Sequence, residues 1–136
     1  MKKKFGYLIA SIVLVGITTT GCMIAPEHGL LQGKVYIGPV SPVEQPGQST
    51  TLPCNVYKPR KIMVYDHDGS RLVTQVDIEC NSEENCARYR VELQPGTYTI
   101  DINHIGVDSS QEVPAHITVE AGITYRLDIN IDTGIR

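Results

Sequence analysis

Apolar and polar residues alternate with a period of two in several short segments between residues 31 and 131. Segment 123–131 shows the pattern most clearly, because every second residue from Ile123 is a large apolar one. Such alternation predicts β-strands with one face in the core and the other in solvent. No segment after residue 22 shows the 3.6-residue period of an amphipathic helix. The pattern therefore predicts an all-β domain.

Short turns separate the alternating segments, at a spacing typical of antiparallel sandwiches. The Asp68-Gly69 step supplies the positive φ that a tight hairpin needs, and Pro95-Gly96 turns the chain again. We expect strands over residues 31–37, 60–65, 71–79, 87–93, 97–103, 115–120 and 123–131. Seven strands with one apolar face each predict a seven-stranded antiparallel β-sandwich.

Residues 1–21 have the properties of an export signal that is not part of the fold. Three lysines, residues 2–4, precede an uncharged apolar stretch of 13 residues, 5–17, whereas a membrane-spanning helix needs about 20. The following Gly21-Cys22 resembles the end of a bacterial lipobox, although Thr19 stands where that motif usually has Leu. The resemblance implies a diacylglycerol on Cys22, which becomes the new N-terminus. Unlipidated secretion and an uncleaved anchor are the alternatives.

Removal of the signal would leave a short tether, 22–29, and one domain, 30–136. The domain is expected on the extracytoplasmic side of a membrane. Met23 stands where an inner-membrane retention signal would have Asp, which favours the outer membrane if the host has two membranes. Three of the 12 basic residues lie in the signal, so the mature chain has 9 against 15 acidic residues, a net charge of −6. Such a chain repels phosphates and anionic head groups, which excludes nucleic acid as a partner.

The cysteines agree with an oxidising compartment. If Cys22 carries lipid, Cys54, Cys80 and Cys86 remain. A Cys80–Cys86 disulfide is favoured because it would close the short polar loop 81–85; the alternative pairs Cys54 with one of the other two. The spacing is not that of a zinc or redox site, so no metal at these cysteines and no cofactor are expected.

One motif resembles a known family. It is Tyr89-x-Val91-x-Leu93-x-Pro95-Gly96-x-Tyr98-x-Ile100. The motif is similar to that of the carboxypeptidase regulatory-like domains, which belong to the prealbumin-like (transthyretin-like) group together with the Cna-B repeats. The resemblance covers about residues 30–131 and implies a prealbumin-like sandwich that serves as an accessory module. The C-terminal segment 128–136 also looks like that of small prokaryotic lipoproteins with this domain.

Two groups of residues are candidates for binding. Five prolines exclude a helix or a central strand from 38–59, which is expected to be an interaction loop, with Tyr36, Tyr57 and Tyr65 lining one surface near it. Asp101, Asp128 and Asp132 would form an acidic row if strands 97–103 and 123–131 pair, and are cation candidates on that condition.

These observations predict a membrane-anchored extracytoplasmic lipoprotein that is a structural or protein-interaction module and not an enzyme. The four histidines lie in four different segments and show no recognisable catalytic or metal-ligand spacing. The expected partners are the membrane, through the lipid, and an envelope protein or glycan. The alternative function is a β-sandwich that binds a glycan or a cation.

Overall fold

The computed structural model describes residues 27–40, 52–81 and 86–136. The described residues form a 3₁₀ helix, Cys54–Val56, and nine strands: β1 (Gly29–Gly38), β2 (Lys61–Tyr65), β3 (Leu72–Asp77), β4 (Glu79–Asn81), β5 (Cys86–Leu93), β6 (Gly96–Ile102), β7 (Ala115–Val119), β8 (Thr124–Arg126) and β9 (Ile129–Asp132). None of the helices in this part of the chain is long and apolar enough to cross a membrane.

The strands form two sheets that pack face to face, which confirms the predicted all-β sandwich. Sheet A has the order β4-β5-β1-β8, with β9 also paired to β1, and sheet B has the order β3-β2-β6-β7. The core between them is made of the inward residues of both sheets. Its largest fully buried side chains are Tyr89, Leu31, Ile62, Ile100, Ile129, Val35, Val64 and Val119.

The strand count and the pairing differ from the expectation. Nine strands replace seven because segment 71–79 is divided between β3 of sheet B and β4 of sheet A, and segment 123–131 is divided into β8 and β9. The arrangement is not purely antiparallel, since β8 and β9 both pair with β1 in parallel. Ile123, expected in the core, is 45% exposed. Alternation assigns a face to each residue but does not identify the neighbouring strand.

Gly33 allows the segment between β8 and β9 to pass close to β1. Leu127 crosses so close to β1 that a Cβ at position 33 would overlap its carbonyl oxygen. Two hydrogen bonds hold Leu127 there: its N–H donates to Gln32 O at 3.0 Å, and the Tyr89 hydroxyl donates to its carbonyl at 2.7 Å. Burial raises the pKa of the Tyr89 hydroxyl, which therefore stays a donor. Asp128 then accepts from Lys34 N–H at 2.8 Å.

A tyrosine corner joins the two sheets. The chain leaves β5 at the buried Leu93 and enters β6 at Gly96. Within this turn the Tyr98 hydroxyl donates to Gln94 O at 2.8 Å. Such a bond from a tyrosine near the start of a strand to the upstream backbone fixes a corner between sheets. The Leu-x-Pro-Gly-x-Tyr element of the sequence therefore has a structural role.

The disulfide is Cys54–Cys80, so the favoured Cys80–Cys86 pairing is wrong and the alternative through Cys54 is confirmed. The register explains the difference: Cys80 stands opposite Ala87, whereas Cys86 stands opposite Asn81. Cys80 and Cys86 are therefore not direct cross-strand partners in this register. The bond ties the 3₁₀ helix to β4 at the edge of sheet A.

An ion pair fixes the chain after the 3₁₀ helix. Arg60 Nε lies 2.7 Å from Asp108 Oδ2, and a second guanidinium nitrogen donates to Asp108 Oδ1 at 3.1 Å. Its third nitrogen donates to Val56 O at 2.6 Å. Asp108 is buried, and this bidentate geometry satisfies both of its oxygens. Segment 52–60 is thus joined to the rest of the domain by the disulfide near its start and by this ion pair at its end.

Candidate anion-binding site

The three tyrosines expected to line one surface do not do so. Tyr57 is buried in the core, and Tyr36 and Tyr65 lie on β1 and β2, on the outer faces of opposite sheets. The expectation of one surface is therefore wrong. Cys22 and residues 41–51 of the proline-rich loop lie outside the described residues.

The expected acidic row is also wrong, because β6 belongs to sheet B and β9 to sheet A. Each carboxylate has a basic side chain as its neighbour instead: Asp101 lies 2.9 Å from His104, Asp128 lies 2.9 Å from Arg126 and Asp132 lies 2.8 Å from Arg136. Arg136 lowers the pKa of Asp132 to about 2. Among the described residues no group of three or more potential ligand side chains is placed to hold a metal ion.

Four cationic side chains meet on the outer face of sheet A. Lys34 of β1 stands directly opposite Arg88 of β5. Gln32 of β1 stands between Arg90 of β5 on one side and Arg126 of β8 on the other. Together with Glu79, these side chains line a shallow groove of about 350 Å³, which we call the cationic cleft.

The sheet topology explains why these residues meet. Lys34 and Gln32 alternate with the buried Leu31 and Val35, and Arg88 and Arg90 flank the buried Tyr89. β1 lies between β5 and β8, so it brings together Arg88 and Arg90 of β5 with Arg126 of β8, which are 36 to 38 residues apart in sequence. Gly33 and Tyr89 also line the cleft.

Among the described residues that line or contact the cleft, four cations outnumber two carboxylates, although the chain as a whole is acidic. Two carboxylates among the described residues line or contact the cleft. Glu79 stands opposite Arg88 in the register, and Asp128 accepts a hydrogen bond from the Arg126 guanidinium. The hydrogen bond to Asp128 raises the pKa of Arg126 and lowers that of Asp128. Guanidinium groups do not titrate near neutral pH and only donate hydrogen bonds, so the arrangement is suited to binding an anion.

A second, polar groove lies further along β1, beyond the cleft. It encloses about 600 Å³, and we call it the tyrosine groove; its lining includes Tyr36, Ser110, Glu112, Asn130 and Asp132. Glu112 accepts from Ser110 Oγ at 2.6 Å and from Asn130 Nδ2 at 2.8 Å. The hydrogen bond from Ser110 has the largest effect and that from Asn130 the next, and together they lower the pKa of Glu112 to about 2. Tyr36 is 50% exposed.

The cleft is not evident from the net charge of the chain, which is an average over all residues. The net charge of the mature chain suggested repulsion of anions, but charge is segregated on the folded surface. The outward positions in Gln32-x-Lys34 and Arg88-x-Arg90 were visible in the alternation. The missing information was the pairing of β1 with β5 and β8.

Comparison with protein-family models and with curated proteins finds no match to this chain. The functional assignment therefore depends on the geometry of the site and on the motifs of the sequence.

Proposed function

We propose that the protein is an exported, membrane-anchored binding module without enzymatic activity, and that it binds an anionic partner in the cationic cleft. The observation that carries this proposal is the convergence of four cations on one sheet face of an acidic chain. Lys34 and Arg88 stand directly opposite each other, so the register of β1 and β5 fixes two of the four cations as neighbours.

Export and anchoring are supported by the N-terminal sequence and by the disulfide. Stable disulfides are typical of extracytoplasmic proteins, and Cys54–Cys80 joins two separate parts of the domain. Gly29, where β1 begins, follows Cys22 by seven positions. A chain of that length spans at most about 25 Å, so a lipid on Cys22 would keep the domain near the membrane surface.

We further propose that the domain is prealbumin-like and related to the carboxypeptidase regulatory-like domains. The two-sheet sandwich and the tyrosine corner at Tyr98 support this relationship. Domains of that family are accessory modules, in agreement with a binding role. Residues 128–136 resemble the C-terminal segment of small prokaryotic lipoproteins with this domain, which also supports the relationship.

The anchor is tested by the non-reduced intact mass of the protein extracted from membranes of its own host. We expect the mass of residues 22–136 plus a diacylglyceryl group and an N-acyl chain, less two hydrogens for one disulfide. The mass of an unmodified chain, with or without residues 1–21, would contradict lipidation at Cys22.

The cleft is tested by the double variant Arg88→Gln/Arg90→Gln, which removes two positive charges without adding a negative one. We expect affinity for polyanions such as polyphosphate, polyglutamate or polygalacturonate, measured by calorimetry at low salt, to fall at least about tenfold, because one charge-assisted hydrogen bond contributes about 1.5 kcal/mol or more. The matched control is Lys58→Gln/Arg71→Gln, two exposed cations outside the cleft. Equal losses in both variants would show that only net charge matters and that the cleft is not a site.

A further inference from the structure

We propose that the ligand of the cationic cleft is an acidic oligosaccharide, a short chain of sugars that carry carboxylate groups, which extends along β1 from the cleft onto Tyr36. This inference rests on the proposed function and specifies its ligand. The carboxylates would lie among the cations of the cleft, and a sugar ring would stack on the tyrosine. The two grooves on the outer face of sheet A would then form one extended binding surface.

The first argument is the position of Tyr36. It follows Lys34 by two residues on the same face of β1, a distance of about 7 Å along the strand. It is also close enough to Arg126 to act on the charge of that guanidinium. Half of Tyr36 is exposed, although an aromatic ring is most stable with its face covered. The C–H face of a pyranose ring is a suitable cover, because its rim of hydroxyls stays in contact with polar groups.

The second argument is the polar lining beyond Tyr36. Asn130 stands opposite Tyr36 in the register, and its amide is held by Glu112, which Ser110 also contacts. Hydroxyl, amide and carboxylate groups offer both donors and acceptors, which is what sugar hydroxyls require. The network fixes these side chains before binding, so a ligand that hydrogen-bonds to them pays little side-chain entropy.

The third argument concerns the ligands that the geometry disfavours. An acidic peptide that binds by strand addition needs a free sheet edge, whereas β1 is paired with β5 on one side and with β8 and β9 on the other. A small anion such as phosphate would occupy the cleft but would not use Tyr36. A ligand that uses both grooves has anionic groups at one end and a flat, hydroxyl-rich body, and an acidic saccharide combines these properties.

The test is calorimetric titration of the wild-type protein with tetragalacturonate, with its fully methyl-esterified form, with tetraglutamate and with tripolyphosphate. We expect tetragalacturonate to bind more tightly than the other three. Methyl esterification, which removes the charge and keeps the sugar rings, should weaken binding at least tenfold. Tyr36→Ala should weaken binding of tetragalacturonate at least fivefold but leave that of tripolyphosphate unchanged, and Tyr36→Phe should retain the wild-type affinity.

The matched control is Tyr65→Ala, which removes a partly exposed aromatic ring from the outer face of sheet B and should leave the affinity unchanged. Circular dichroism and the thermal midpoint of each variant establish that it is folded. Tetraglutamate or tripolyphosphate binding as tightly as tetragalacturonate, or an unchanged affinity of Tyr36→Ala, would overturn the saccharide assignment and leave the cleft as an anion site. Unchanged binding of all probes by Arg88→Gln/Arg90→Gln would overturn both proposals.

Discussion

Gly33→Ala is expected to lower the free energy of unfolding by about 3 kcal/mol, the upper end of the typical range for overpacked cores. The added Cβ would overlap the carbonyl oxygen of Leu127 and stand 2.6 Å from its carbonyl carbon and 3.0 Å from the Tyr89 ring. Leu127 cannot yield easily, because hydrogen bonds to Gln32 and Tyr89 hold it. The segment between β8 and β9 would have to leave β1. Urea denaturation followed by circular dichroism measures the loss.

Gly38→Ala is the matched control for this prediction, since it makes the same substitution at the end of the same strand. No atom lies within 4 Å of a Cβ built at Gly38. We expect a change of less than about 1 kcal/mol, because only the entropy of the unfolded chain is altered. Equal destabilisation by both substitutions would show that the crossing of Leu127 over Gly33 is not a constraint on the fold.

Gly33 also links the fold to the proposed site. The backbone path that it permits brings Asp128 to Lys34 N–H and to the Arg126 guanidinium, so it sets the position of one cation of the cleft. A bulkier residue at position 33 would therefore disturb the cleft as well as the sheet. The alternation of 31–37 shows Gly33 as an inward residue, but the crossing strand that requires a glycine there is not visible in the sequence.

The features that local sequence determines were predicted well. The hairpin between β2 and β3 forms where expected: Gly69 has φ 74°, and its N–H donates to Asp66 O at 3.0 Å. The alternation in 97–103 correctly placed Ile100 and Ile102 in the core. Turn chemistry and period-two patterns act over a few residues, so they can be recognised without knowledge of the fold.

The features that depend on which strands are neighbours could not be predicted. The chain changes sheets at the buried Ile78, and the alternation of 71–79 continues through that point without a break. Tyr57 was assigned to the surface because its segment has no strand pattern, yet it packs on the core. The four cations of the cationic cleft come from three strands, and only the register brings them together.

Removal of the disulfide by Cys54→Ser/Cys80→Ser is expected to cost about 3.5 kcal/mol, the loop-closure entropy for a bond between residues 26 positions apart. That loss corresponds to a fall of about 10–20 °C in the thermal midpoint for a domain of this size. The fall measured by scanning calorimetry should match that of the wild-type protein in the presence of a reductant. The reductant should have no further effect on the double variant.

The control Cys86→Ser distinguishes the observed pairing from the one favoured by sequence proximity. With a Cys54–Cys80 bond this variant keeps its disulfide and its sensitivity to reductant, whereas a Cys80–Cys86 bond would be lost. Non-reducing digestion with trypsin and a Glu-specific protease identifies the pairing directly, because Glu83 and Glu84 separate Cys80 from Cys86. A large cost for the double variant would show that the short edge strand β4 and segment 52–60 need the covalent bond in addition to the Arg60–Asp108 ion pair. A cost below about 1 kcal/mol would mean that the ion pair and the burial of Tyr57 hold that segment without it.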